Sequence, residues 1–91
     1  MKFIVISEYE DSSGYTEEKI YDLCCSIGKC EQLTPYSFLV VCNQNAKYIR
    51  DAIKNSPYDI SRIFVMKAEL PAAWKSLMCN NTDLRELLHE E

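Results

Sequence analysis

The stretch "RIFVMKAELPAAWKSLM", Arg62 to Met78, decides how the chain folds. Ile63, Phe64, Val65 and Met66 are consecutive apolar residues, the pattern of a strand buried on both faces; a strand with one wet face alternates apolar and polar. Lys67 and Ala68 lead out of the run. Pro71 suits the first position of a helix, where a missing N–H costs no intrahelical bond. Ala73, Trp74, Leu77 and Met78 then give that helix an apolar side. The reading is a strand over Arg62 to Ala68 followed by a C-terminal helical extension over residues 71–89.

Upstream, the same kind of run occurs twice more, as Phe3-Ile4-Val5-Ile6 within a first strand from Lys2 to Ser7 and as Phe38-Leu39-Val40-Val41 within a strand from Ser37 to Cys42. Glu8 to Gly14 is polar and reads as a loop. Thr16 reads as an N-cap, and Glu17 and Glu18 put negative charge where a helix dipole favours it. Ile20, Leu23, Cys24 and Ile27 then fall at i, i+3, i+4 and i+7, one stripe to be buried, and Gly28 sits where a left-handed C-terminal residue belongs. Lys29 to Leu33 is a weaker strand, joined through Thr34-Pro35-Tyr36 to the next one as a hairpin. Asn43 and Asn45 are capping candidates for a second helix in which Ala46, Ile49 and Ile53 share a face, and Pro57 closes that unit. Thr82 is placed to cap a last short helix whose apolar edge is Leu84, Leu87 and Leu88, with His89-Glu90-Glu91 as an acidic tail.

The order strand, helix, strand, strand, helix, strand predicts an α+β domain of the ferredoxin-like, split βαβ kind. An antiparallel sheet carries two helices on one face, and a C-terminal helix is added. One domain spans residues 1–91. The second face then needs a cover, because three strands are apolar on both sides. Each buried Val, Leu or Phe gains roughly 1.5–3 kcal/mol, so exposing six would forgo about 10 kcal/mol, comparable to a whole domain's stability. The cover is either the C-terminal segment or a second copy; a homodimer with the C-terminal segment contributing is the expectation.

Ten basic and fourteen acidic residues leave a formal net charge of -4, which disfavours a whole-surface grip on nucleic-acid phosphates but leaves room for a local basic patch. The N-terminal apolar run is too short for a signal-peptide core, and no run approaches a membrane span, so a cytoplasmic protein without membrane contact is expected. Five cysteines (Cys24, Cys25, Cys30, Cys42 and Cys79) lack the spacing of a disulfide framework and read as reduced, mostly buried thiols.

Read together, "YSFLVVCNQNAKYIRDAI" and "DISRIFVMKAELPAAWKSL" resemble the small bacterial proteins of the SinR family, relatives of the CRISPR-associated Cas-two proteins. The matching residues are Ser37, Ile49-Arg50-Asp51-Ala52, Ile63 to Met66 and Ala72-Ala73-Trp74, and Lys2 to Ser7 resembles the family's first strand. The resemblance implies a ferredoxin-like homodimer in a family linked to nucleic-acid handling and defence against mobile elements. Some members are metal-dependent nucleases and others non-catalytic structural subunits. The nuclease reading leans on an Asp just after the first strand; Tyr9 aligns there, so cleavage is placed in doubt.

The expected function is therefore a non-catalytic structural or nucleic-acid-associated homodimer, without a resident cofactor. Two alternatives remain. A nuclease would hold Mg2+ on Glu8 and Glu10, carboxylates at the end of a central strand that supply oxygen ligands. A protein-binding or inhibitory module would use the acidic surface. Lys47, Arg50 and Lys54 form the best basic patch for nucleic acid, and Trp74, Phe64 and Phe38 are candidate core or dimer anchors. Tyr9, Tyr15 and Tyr36 lie in predicted loops, where exposed phenols can contact a partner. Cys24-Cys25 with Cys30 and a lone His89 fits neither a CxxC pair nor a zinc site. With only Gly14 and Gly28, the chain has no dinucleotide-binding, P-loop or nucleophile-elbow motif.

Overall fold

A computed structural model of the chain describes residues 1–10 and 14–90. Its elements are β1 (Lys2–Tyr9), α1 (Tyr15–Ile27), β2 (Lys29–Thr34), β3 (Ser37–Val41), α2 (Ala46–Lys54), β4 (Ile60–Ala68) and α3 (Asn81–Leu88). The strands form one four-stranded antiparallel sheet in the order β2-β3-β1-β4. Four antiparallel strands and three helices make a small α+β domain, compatible with a ferredoxin-like arrangement.

The pleat sends alternate residues of each strand to opposite faces, so the continuous apolar runs serve two cores. On one face Phe3, Val5, Phe38 and Val40 pack against Ile20 and Cys24 of α1 and Ile49 and Ile53 of α2. Register sets this up: Phe3 lies opposite Val40, and Val5 lies opposite both Phe38 and Val65. On the other face Leu39 and Val41 pack against Leu84, Leu87 and Leu88 of α3, with Trp74 and Leu77 joining them. The chain's own C-terminal segment is thus part of the cover that the two-sided strands require.

Several local expectations are corrected. Residues 69–80 form no helix. Ser76 has a left-handed φ of 59°, the Met78 N–H donates to Leu33 O of the edge strand at 3.0 Å, and Trp74 and Leu77 face the sheet. A bond to β2 and burial of the indole outweigh the helix that the apolar spacing suggests. The Leu70–Pro71 peptide is cis. The helical part of the extension is α3 alone, capped by Asn80 rather than Thr82: its side chain accepts from the N–H groups of Thr82 and Asp83. Helix α1 begins after Gly14, whose φ is 82°, and Thr16 is a buried residue in its first turn. Asn45 caps α2 as expected, accepting from Tyr48 N at 2.8 Å.

Gly28 is extended, not left-handed (φ −172°, ψ −164°). Its side-chain position is already filled: a Cβ there would lie 2.3 Å from Val41 O. Close approach of α1's exit to β3, not helix capping, is the reason for glycine. Strand β1 runs on through Glu8 and Tyr9, which the polar pattern places in a loop, because both pair with β4 across a register shift. Of that expected loop, residues 11–13 lie outside the described residues, as does Glu91. Glu90 is not a free tail residue but pairs with Lys29.

Candidate functional site

The second face of the sheet is covered unevenly. Strands β2, β3 and β1 lie under α3 and the 70–80 segment, with a small apolar cavity of about 150 Å³ between Ile4, Leu39, Trp74, Leu77 and Leu84. Toward β4 the cover ends. Ile6, Phe64 and Met66 keep 38%, 55% and 50% of their surface in water. Register explains why they form one strip: Ile6 lies directly opposite Phe64, and Ile4 opposite Met66. Leu70, 44% exposed, follows from the end of β4. Strand β4 is also an edge of the sheet, so among the described residues no strand pairs its outer side.

The three aromatic anchors separate here. Phe38 is fully buried in the core beneath α1 and α2. Trp74 is half-buried in the second cluster, and its indole N–H donates to Asn81 Oδ1 at 3.1 Å, tying the 70–80 segment to the start of α3. Phe64 lies in the open strip.

The other candidates are dispersed. Glu8 is half-buried on β1, and its carboxylate accepts from Arg62 Nη1 of β4 at 2.8 Å. Glu10 is exposed beyond the strand end. Among the described residues no group of three or more His, Cys, Asp or Glu side chains is arranged to hold a metal. Tyr9 is 7% exposed; its hydroxyl donates to Pro35 O at 3.1 Å, and Glu17 Oε1 is 3.3 Å away. It is a structural residue and not a loop phenol. Tyr36 lies edge-on against its ring, centroids 5.0 Å apart. Tyr15 opens α1 with its ring 5.5 Å below Lys19 Nζ and edge-on to Tyr58.

Lys47, Arg50 and Lys54 do share the exposed side of α2, three and four residues apart. Asp51 sits among them. Arg50 donates to Asp51 Oδ1 through Nε at 2.9 Å and Nη2 at 2.8 Å. That hydrogen bond, with Lys47 and Lys54 nearby, holds the Asp51 carboxyl below its usual range. The patch is basic but partly neutralised from within.

The thiols are less uniformly buried than the composition suggests. Cys24 and Cys42 are buried, Cys30 and Cys79 half-buried, and Cys25 exposed. Burial, then the neighbouring Cys25, pushes the Cys24 thiol up to about 12. Sequence reasoning missed three arrangements: the Glu8–Arg62 pair, the cap at Asn80, and the open strip itself. The strip carried a signal, since Ile6, Phe64 and Met66 are the same-face residues of two apolar runs; which strand α3 would leave bare was not in it.

Comparison of the chain with protein-family models, with curated proteins and with solved structures finds no match. Among the described residues no helix is long and apolar enough to cross a membrane.

Proposed function

We propose that the chain is a cytoplasmic, ferredoxin-like homodimer of the SinR and Cas-two-like kind, a non-catalytic structural or nucleic-acid-associated module linked to defence against mobile elements. The observation that carries the dimer is the open strip of Ile6, Phe64, Met66 and Leu70 on the edge of the sheet. Taking about 200 Å² per large side chain, these residues leave roughly 370 Å² per protomer in water. Two copies meeting sheet against sheet would bury roughly 750 Å² of it, below the ~1,200–2,000 Å² of a standard interface. Polar rim contacts must supply the rest, and the dimer dissociates on dilution.

A non-catalytic role is supported by Tyr9 at the aligned acidic position and by the engagement of Glu8 with Arg62. Lys47, Arg50 and Lys54 are the residues this reading assigns to nucleic acid; Mg2+ on Glu8 and Glu10 belongs to the nuclease alternative only.

Sedimentation across a wide concentration range tests the reading. The chain should pass from monomer to dimer as concentration rises, and Phe64→Ser, a change at an exposed position, should remain monomeric with little loss of thermal stability. A single chain at every concentration refutes the dimer. Labelled RNA and DNA, with and without Mg2+, test the rest: a salt-dependent gel shift that weakens in Lys47→Ala supports the nucleic-acid role. Cleavage that disappears in Glu8→Ala establishes the nuclease instead.

A further inference from the structure

We propose that Cys25 and Cys30 are a dithiol redox site, which closes to an intramolecular disulfide by exchange with a small-molecule disulfide of the glutathione class. Their sulfur atoms lie 3.1 Å apart. Cys25 is exposed in the last turn of α1, and Cys30 is half-buried at the start of β2. A disulfide needs about 2.05 Å between the sulfurs, so the pair is roughly 1 Å from bonding distance, within reach of small side-chain rotations.

The backbone imposes this proximity. The chain turns from α1 into β2 at Gly28, which is pressed so closely on Val41 and Cys42 that no side chain fits there. The Gly28 N–H also donates to Cys24 O at 3.3 Å, and Lys29 and Cys30 are registered against Val41 and Val40 of β3. Both cysteines are therefore carried on hydrogen-bonded backbone, with a short, tight connection between them. The other thiols are placed differently. Cys24 and Cys42 are in the core, and Cys79 belongs to the second cluster under α3.

Exposure assigns the roles. Cys25 is the accessible thiol. Cys30 is held in its protonated form, first by burial and then by its hydrogen bond with Cys25. Cys25 as thiolate attacks one sulfur of RSSR, forming a Cys25–SR mixed disulfide and releasing RS⁻, which takes up a proton. Cys30 then gives its proton to solvent, and its thiolate attacks Cys25 Sγ. The Cys25–Cys30 bond forms, and the second RS⁻ leaves and is protonated. Two protein thiols are oxidised to one disulfide as RSSR is reduced to two RSH. The product ties the end of α1 covalently to edge strand β2.

The test is to incubate the full chain with glutathione disulfide, block remaining thiols, and map the cysteines by mass spectrometry after non-reducing digestion with trypsin. Cleavage after Lys29 separates the two cysteines, so their bond joins two peptides, and fragmentation distinguishes Cys25 from Cys24 and Cys30 from Cys42. The expected result is a Cys25–Cys30 linkage in about tenfold excess over all other cysteine pairings, reversed by dithiothreitol. Cys30→Ser should stop at the Cys25–glutathione adduct. A different dominant pairing, a wild-type chain that stops at the adduct, or thiols that stay reduced in the folded chain overturns the proposal. The wild-type map decides the matter even where a variant fails to fold.

Discussion

Replacing Gly28 with alanine places a methyl carbon 2.3 Å from Val41 O, 2.7 Å from Cys42 Cβ and 3.1 Å from Val41 C. Carbon and oxygen approach no closer than about 3.3 Å even in weak C–H···O contacts, so β3 and the α1 exit must separate by about 1 Å. The Val41 atoms are backbone of a strand paired on both sides, with Lys29 of β2 and Lys2 of β1, and cannot swing away as a side-chain end would. Because φ is −172°, alanine meets no torsional penalty, and the whole cost is steric. Overpacking costs about 1–3 kcal/mol, and a weakened ladder bond adds about 1, for a loss of about 3 kcal/mol. A domain of this length has about 5–14 kcal/mol in all, so the loss is large. With m of about 1–2 kcal/mol/M in urea, the unfolding midpoint should fall by about 2 M. Gly28→Asn separates this explanation from helix capping, since asparagine tolerates a left-handed residue but brings the same Cβ. A midpoint within about 0.3 M of the parent for alanine, or a clear recovery with asparagine, would refute the steric reasoning.

Trp74→Ala should cost about 2–3 kcal/mol, less than a fully buried tryptophan, and should act locally: amide exchange in α3 accelerates while α1 stays protected, and equal exchange in both shows the indole is not the anchor. Burial, then Asp83, raises the Glu31 carboxyl above its ordinary range. Its folded value lies above the unfolded one, so its contribution is fully present below the unfolded pKa and lost as pH rises through the folded one. Glu31→Gln should therefore stabilise the chain at neutral pH, and denaturation near pH 3 should show that advantage gone; a gain unchanged by pH assigns the effect to packing.

Most strands and the first two helices were legible because their signals are local. Ile20 and Cys24 reach the core at helical spacing, and Ile49 and Ile53 do the same on α2. The failures share another cause. Pro71, Ala73, Trp74 and Leu77 have the spacing of a helix, yet the segment is held by Leu33 and Asn81, partners distant from that pattern. The position of Gly28 at a helix end suggests a cap, while the reason for glycine lies on β3, thirteen residues downstream at Val41. Of the candidate sites, the basic side of α2 is visible in the spacing, but the fork from Arg50 to Asp51 that blunts it depends on side-chain conformations that the spacing does not fix.

By itself the sequence determined that both faces of the sheet are apolar, since apolar residues occupy both parities of three strands. Only the tertiary structure decided how much of the second face the chain covers. Helix α3 and Trp74 reach Leu39, Val41 and Ile4 but stop short of Phe64 and Met66, because a segment anchored at Leu33 on one side of the sheet covers that side first. Likewise, five cysteines are a property of the chain, whereas the meeting of Cys25 with Cys30 is a property of the α1–β2 turn.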